Sequence, residues 1–267
     1  EKNDFGSGTS ANSLKTIHGG LRYLQGLDIR SSIISAQERK AWLTIASGLV
    51  RPLSCILPTS RELMKSRLLV GMGALFYNVL TTGRNKGMPI MDRIPNAHLI
   101  TLSSLKKIIP GFLDAGMTGG ACWYDAQAIN TERLVLACLL AAEEKGANIL
   151  NYHCLENIQQ KNNSYSAELV GRGSKKPKTQ VVSEVTADLI VDCSGYGQFL
   201  PKALSGLGQG EENSRQSYAK AVNLVLKKKI STHAFGIKVK DGSGMSRLLF
   251  IAPWRDQYTM IGTWYYD

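Results

Sequence analysis

The stretch 134–142 constrains the fold most, because every residue in it is apolar. Asn130 or Thr131 can cap a helix through this stretch, and Gly146 then ends it. A helix that is apolar all round has to be covered on nearly all sides, so it predicts a domain with a sizeable core. Four short strands are predicted after the helix, at residues 148–152, 155–160, 165–170 and 180–185.

The rest of the chain adds helices and strands of both kinds. Further helices are predicted at residues 11–24, 28–47 and 63–80, the last suiting either a buried core helix or a helix lying on a surface. The apolar run 189–191 ends in Asp192-Cys193-Ser194-Gly195, as a buried strand does at the carboxyl edge of a parallel sheet. Alternating strands are predicted at 221–226, 235–239, 248–251 and 258–261. The pattern therefore predicts a mixed α/β fold.

Composition narrows the class of protein further. The 267 residues are 43% hydrophobic, enough for one large domain or two small ones, and they hold no apolar run long enough for a membrane span. The chain shows no secretory signal, and five scattered cysteines without a paired motif favour a reducing, cytoplasmic setting. Widely separated histidines predict no metal site.

The net charge of +11 leaves three interpretations open. It is consistent with an ordinary basic surface, with attraction of anionic substrates, or with contact to anionic lipid at the inner face of a membrane. Nucleic acid is not expected, because the lysine clusters lie in or beside predicted turns and no aromatic RNA-reading motif accompanies them.

The segment 8–24 carries the strongest chemical signal. It offers hydroxyls, backbone N–H groups and a lysine, which together suit an anion such as a pyrophosphate. Gly19 and Gly20 would let a flat ring system approach the backbone closely. Arg22 and Tyr23 then supply a fork of donors and a phenol, which suit a phosphate on a substrate.

This segment resembles the pattern TSxxSxKxIHGGLRYL of the FAD-dependent glycerol-3-phosphate dehydrogenases. Three later stretches resemble the same family in the same order, so that the resemblance covers nearly the whole chain. They are residues 123–134 (WYDAQAINTERL), 192–195 (DCSG) and 250–263 (FIAPWRDQYTMIGT).

The resemblance implies a fold, a division into domains and a reaction. The fold would be a partial FAD-binding Rossmann-like layer at 1–50 and 120–200, a helical insertion at 51–119, and the start of an antiparallel β substrate-cap region at 201–267. The reaction would be the oxidation of sn-glycerol 3-phosphate to dihydroxyacetone phosphate by FAD, with a quinone or oxygen as the final electron acceptor.

Site residues follow from the resemblance position by position. His18 and Arg22 would be catalytic, and Arg22 and Tyr23 would hold the substrate phosphate. Taken alone, His18 would more often be structural and Asp125 would cap the following helix rather than act in catalysis. The residues that would bind the cofactor are Glu1, Thr9, Ser10, Ser13, Lys15, His18, Gly19, Gly20, Leu155, Ser194 and Gly195.

The chain also departs from the family pattern. The βαβ unit with GxGxxG would lie before Glu1 and further substrate-binding loops after Asp267, so we expect a fragment that is inactive alone. Tyr196-Gly197 replaces the usual Pro-Trp, and residues 220–225 (KAVNLV) replace a KGxHxV stretch, which suggests a divergent subgroup. Two alternatives stay open: another flavin oxidase of this broad family that acts on an amine or amino acid, and a catalytically dead binding fragment.

Overall fold

A computed structural model gives the fold of residues 1–111, 116–172, 179–194, 220–240, 244 and 246–266. The α-helices in these ranges are α1 Ile29–Ile45, α2 Arg67–Leu80, α3 Leu102–Ile108 and α4 Thr131–Glu143. The strands are β1 Thr16–Ile17, β2 Val50–Ser60, β3 His98–Thr101, β4 Met117–Ala128, β5 His153–Lys161, β6 Ser164–Arg172, β7 Thr179–Ala187, β8 Lys220–Leu226, β9 Ala234–Lys240, β10 Ser246–Trp254 and β11 Tyr258–Tyr266. Short 3-10 helices cover Leu21–Gly26, Leu63–Lys65 and Ile90–Asp92.

The larger sheet has the strand order β1-β4-β2-β9-β10-β11-β8, and β3 also pairs with β4. Its neighbouring strands are antiparallel except β2 and β9, which run parallel and pair Cys55 with Ala234 and Ile56 with Phe235. These four residues are buried. The centre of the sheet therefore joins segments that are far apart in the sequence.

Two helices pack against this sheet through separate apolar clusters. Leu43 of α1 packs with Val50 and Ala126 of strands β2 and β4. Leu105 of α3 packs with a second cluster that includes Phe235 of β9. Burial of such side chains is the main contribution to the stability of the sheet.

The described residues form two compact units. One comprises Glu1–Ser7 and Val135–Tyr218 and holds the second sheet, in which β5, β6 and β7 are antiparallel in that order. The other comprises Gly8–Leu134 and Ala219–Asp267 and holds the larger sheet. Helix α4 begins in the second of these units and continues into the first.

Each α-helix begins at a side chain that accepts a hydrogen bond from the backbone N–H three residues later. Such caps satisfy one of the N–H groups that a helix start leaves unpaired. The acceptors are Asp28 (3.0 Å), Ser66 (3.4 Å), Thr101 (3.1 Å) and Asn130 (3.0 Å). The predicted helices near 28–47, 63–80 and 130–145 are confirmed, and the mixed α/β class with them.

Seven of the predicted strands are confirmed in β5 to β11. The strand predicted at 148–152 is wrong, because Tyr152 has a left-handed φ of 56° and its N–H donates to Asn3 O at 3.3 Å. The prediction of a buried strand at 189–191 is also wrong. Leu189 is 75% exposed and Val191 is 72% exposed, and no described strand pairs with this run.

The predicted helix at 11–24 is also wrong. Residues 8–13 form turns and bends, β1 pairs with β4 (Thr16 opposite Gln127), and a 3-10 helix follows at Leu21–Gly26. Lys15 and Gly20 have φ of 60° and 88°, which a right-handed helix does not allow. Pairing with β4 therefore overrides the local preference of the segment.

The predictions for the burial of α4 and for the secondary structure of the segment 51–119 need correction as well. Helix α4 has no buried residue, with Leu136 47% and Leu140 51% exposed, so its apolar run is not covered on all sides by the described chain. The segment 51–119 is not only helical, because it contributes β2, β3 and the start of β4 to the larger sheet. Among the described residues no helix is both long and apolar enough to cross a bilayer.

Candidate functional site

The loop that carries the predicted site begins with a compact turn at residues 8–13. The backbone N–H and the side-chain amide of Asn12 both donate to Gly8 O, at 3.2 and 3.0 Å. Ser13 Oγ accepts from the N–H of Lys15 at 3.2 Å. The turn leaves Thr9 and Ser10 exposed, where their hydroxyls can meet a ligand.

Lys15 fastens this turn to the start of α4. It is 5% exposed, and its ammonium group donates to Ala11 O and Thr131 Oγ1, each at 2.8 Å. Burial lowers the pKa of Lys15, while Glu132, at 3.8 Å, opposes that shift. The structure thus gives Lys15 a role in holding the loop, and its contact with the cofactor stays a prediction.

Asp125 of β4 lies at the centre of a buried polar network. It is 3% exposed; one carboxylate oxygen lies 2.9 Å from His18 Nδ1, and the other accepts from Gly19 N at 2.8 Å. The expectation that Asp125 caps the next helix is wrong, because Asn130 holds that position. A buried carboxylate is costly unless it is bonded on most sides, so the fold commits Asp125 to this loop.

Arg39 of α1 and Tyr77 of α2 complete the network. The Arg39 side chain is fully buried, lies 3.9 Å from the Asp125 carboxylate, and donates to the Tyr77 hydroxyl at 3.0 Å and to Tyr124 O. Tyr77 donates in turn to Gly19 O at 2.6 Å. Both polar groups of Gly19 are therefore held by side chains from two different elements.

The two glycines are required by this packing. A Cβ on Gly19 would lie 1.9 Å from the Arg39 guanidinium and 2.8 Å from the Tyr77 hydroxyl. A Cβ on Gly20 would lie 2.5 Å from Ser32 O, and the φ of 88° there favours glycine. The loop backbone can lie this deep only because both side chains are missing.

His18, by contrast, presents its ring to solvent, with the side chain 68% exposed. The hydrogen bond with Asp125 raises the pKa of His18 above its ordinary value, against partial burial and the charge of Arg22, which lower it. The edge of the ring lies near Phe250 of β10, with the centroids 6.4 Å apart. His18 is therefore a restrained, accessible imidazole of increased basicity.

Arg22 and Tyr23 lie on the 3-10 helix that follows Gly20, and both are exposed. Three further predicted site residues, Glu1, Leu155 and Ser194, lie in the unit that comprises Glu1–Ser7 and Val135–Tyr218. The Glu1 side chain accepts from Asn3 N at 3.3 Å, Leu155 is half-buried on β5, and Ser194 is exposed with its N–H on Asp192. Gly195 lies outside the described residues. The structure thus brings His18, Gly19 and Gly20 together around Asp125.

Sequence reasoning missed Arg39 and Tyr77. Arg39 sits in the charged run Glu38-Arg39-Lys40, which looks like a solvated helix face, and Tyr77 sits in an apolar helix. A usable signal was Asp125 itself, a single charge within the mostly apolar stretch 121–128. A lone carboxylate in a buried strand predicts a buried cation or several donors nearby.

The fold is shared with solved structures of other proteins. An L-α-glycerophosphate oxidase from Mycoplasma pneumoniae, solved with FAD bound, matches 100% of this chain and 64% of its own, with a TM-score of 0.60 and 14% identity. A glycine oxidase from Geobacillus kaustophilus matches the same shares of the two chains, with a TM-score of 0.55 and 15% identity. At these identities the likeness shows the fold alone, which the chain shares with these two oxidases.

The sequence gives the family. Residues 1–267 match the family described as DAO, FAD dependent oxidoreductase, and the protein belongs to it. The cofactor of this family is FAD, as the resemblance at 8–24 implied.

Curated relatives include three enzymes of phosphorylated polyols. Glycerol-3-phosphate dehydrogenase of Synechocystis sp. is 30% identical over 164 residues, which are 61% of this chain and 28% of that protein. Alpha-glycerophosphate oxidase of Streptococcus pyogenes and D-erythritol 1-phosphate dehydrogenase of Brucella abortus are each 27% identical over 98% of this chain, and 41% and 48% of those proteins. The chain thus spans less than half the length of each.

The described residues fit FAD by the chemistry of their donors. The exposed hydroxyls of Thr9 and Ser10 suit phosphate oxygens, and the side-chain-free backbone at Gly19 and Gly20 suits a flat ring. His18 adds an accessible imidazole beside those glycines.

Proposed function

We propose that the protein containing this chain oxidises sn-glycerol 3-phosphate to dihydroxyacetone phosphate. The observation that carries the proposal is the accessible His18, held by Asp125 beside the glycine pair and followed at once by Arg22 and Tyr23. In this proposal one short loop carries both the proton-accepting group and the phosphate-binding group. Relatives named for glycerol 3-phosphate and α-glycerophosphate support the same substrate.

Each residue of the loop has a separate task in this proposal. FAD, when bound, supplies the two-electron oxidation of the alcohol carbon. The Arg22 guanidinium binds the substrate phosphate and Tyr23 donates a further hydrogen bond to it, which fixes the position of C2. His18 Nε2 takes the proton of the C2 hydroxyl, and its raised pKa strengthens it as a base. Thr9, Ser10 and Ser13 bind the cofactor from the preceding turn.

Electrons then pass to a quinone or to oxygen. A quinone would bring the protein to a membrane surface, and the net charge of +11 favours anionic lipid, since each basic residue near such a surface contributes about 1 kcal/mol. Oxygen consumption and quinone reduction, measured side by side, distinguish the two acceptors.

Substitution of Arg22 tests the assignment. In the FAD-loaded protein, Arg22→Ala should raise KM for sn-glycerol 3-phosphate roughly tenfold or more, because a charge-assisted contact contributes about 1.5–3 kcal/mol. Arg30→Ala, an exposed arginine at the start of α1, is the matched control and should leave KM unchanged.

A panel of substrates decides between the candidate functions. If erythritol 1-phosphate is turned over preferentially, the proposed role of Arg22 in binding the phosphate stands, but the proposed substrate is replaced by this longer polyol phosphate. Turnover of sarcosine or a D-amino acid, with none of glycerol 3-phosphate, would replace the proposal with an amine or amino-acid oxidase. Absence of flavin absorbance after addition of FAD would leave only a binding module.

A further inference from the structure

The bond between His18 and Asp125 has a fixed direction. A carboxylate oxygen accepts only, so the ring atom that faces Asp125 at 2.9 Å carries the proton, and this atom is Nδ1. In the neutral ring Nε2 is then the acceptor. With 68% of the side chain exposed, an unrestrained ring could rotate and could exchange tautomers freely.

Asp125 is itself held against rotation. Gly19 N donates to its other oxygen at 2.8 Å, and the fully buried Arg39 places its charge 3.9 Å from that oxygen. Tyr77 links Arg39 to Gly19 O, so Gly19 is bonded on both sides of its α-carbon. Movement of the carboxylate would leave buried donors unpaired, which is costly.

The groups facing His18 come from several elements. Asp125 is contributed by β4, Phe250 by β10, and Arg22 by the 3-10 helix, while Arg39 and Tyr77 lie behind Asp125 on α1 and α2. Of these, Asp125 bonds the ring directly. The other charges act on His18 at longer range.

We propose that Asp125, braced by Arg39 and Tyr77, is a positioning residue that holds His18 as the Nδ1–H tautomer and leaves Nε2 free to accept a proton from a bound hydroxyl. The catalytic use of this arrangement rests on the proposed function, whereas the tautomer and the orientation of the ring do not. The arrangement converts an exposed histidine into a base with one defined accepting atom.

Nitrogen-15 NMR of the histidine-labelled chain tests the inference without cofactor or substrate. His18→Gln identifies the His18 signals among those of the four histidines. In the parent chain above the pKa of His18, the shifts should show the proton on Nδ1. In Asp125→Asn the pKa should fall, and the neutral ring should move toward the Nε2–H form that free imidazoles favour in water.

Asp92→Asn is the matched control. Asp92 is another buried acid, 7% exposed, that bonds Ser47 rather than His18, so its loss should leave the His18 signals unchanged. Circular dichroism shows whether each variant is folded. If Asp125→Asn does not fold, Tyr77→Phe should still weaken the preference for the Nδ1–H form, because it removes one brace of Gly19.

Two outcomes would overturn the inference. One is a parent chain in which neutral His18 carries its proton on Nε2. The other is a folded Asp125→Asn with an unchanged pKa and tautomer for His18.

A kinetic comparison in the FAD-loaded protein then tests the catalytic use separately. Asp125→Asn should lower kcat about 10–100-fold with a much smaller change in KM, and the acidic limb of the pH profile should shift downward. Failure of any glycerol 3-phosphate turnover would count against the proposed function, while the NMR result would still decide the role of Asp125.

Discussion

Gly19 lies against two buried side chains, those of Arg39 and Tyr77. A methyl group there would overlap the Arg39 guanidinium, which is fully buried and bonded to Tyr77 and Tyr124. If Arg39 turned outward, Asp125 would lose its ion-pair partner and Tyr77 would lose a hydrogen-bond donor. The glycine is therefore set by packing in the polar network rather than by flexibility of the loop.

Gly19→Ala should lower the free energy of unfolding by about 1–3 kcal/mol, the usual cost of overpacking a filled site. Gly26→Ala is the matched control, because a Cβ at Gly26 meets no atom within 4 Å. Denaturant unfolding of both variants checks the prediction. Equal stability of the two would show that the network around Arg39 has room for a methyl group at Gly19.

At this scale the sequence predicted some partners and missed others. His18 could be predicted from the motif that surrounds it. Its bond to Asp125 could not, because 107 residues separate the two and nothing local links them. The same holds for Arg39 and Tyr77, whose local surroundings resemble an exposed helix face and an apolar core.

At the scale of elements, local rules worked best where a helix carries its own start signal. Asp28 and Asn130 stand at the starts of predicted helices that the structure confirms, whereas the helix predicted from residue 63 begins after its cap at Ser66. The helix predicted at 11–24 failed because β1 gains its hydrogen bonds from β4, more than 100 residues later. Here the local preference of the segment was for helix, and tertiary pairing overrode it.

Removal of the cap on α4 should have a measurable effect. Asn130→Ala deletes the acceptor of the Arg133 N–H and should lower the free energy of unfolding by about 1 kcal/mol. Asn148→Ala, at an exposed position beyond the end of α4, serves as the comparison and should change stability little. A smaller loss for Asn130→Ala than for Asn148→Ala would contradict the capping role.

For the whole molecule, the alternation of strands and helices predicted the mixed α/β class correctly. The order of strands in the larger sheet could not be predicted from the sequence, because the apolar side chains of β2 and β9 do not specify which strand lies beside each of them. The net charge, in contrast, follows directly from composition and leads to a prediction that does not depend on the fold.

Binding to lipid vesicles tests whether the basic surface serves a membrane contact. Vesicles with phosphatidylglycerol should bind the protein more strongly than neutral phosphatidylcholine vesicles, and 1 M salt should remove the difference, since the screening length falls to about 3 Å. Replacement of the exposed Lys227, Lys228 and Lys229 by glutamine should weaken the binding. Equal binding to both kinds of vesicle would remove the proposed contact.

The parallel pairing of β2 with β9 also limits how early during synthesis the larger sheet can form. Cys55 and Ile56 meet their partners Ala234 and Phe235 only after residues 57–233 between them have been synthesised. Until then β2 exposes an unpaired edge beside apolar side chains, which is a hazard for aggregation. Closure of so long a loop is slow, so we expect a nascent chain to expose this edge for longer than a helical protein exposes its apolar surfaces.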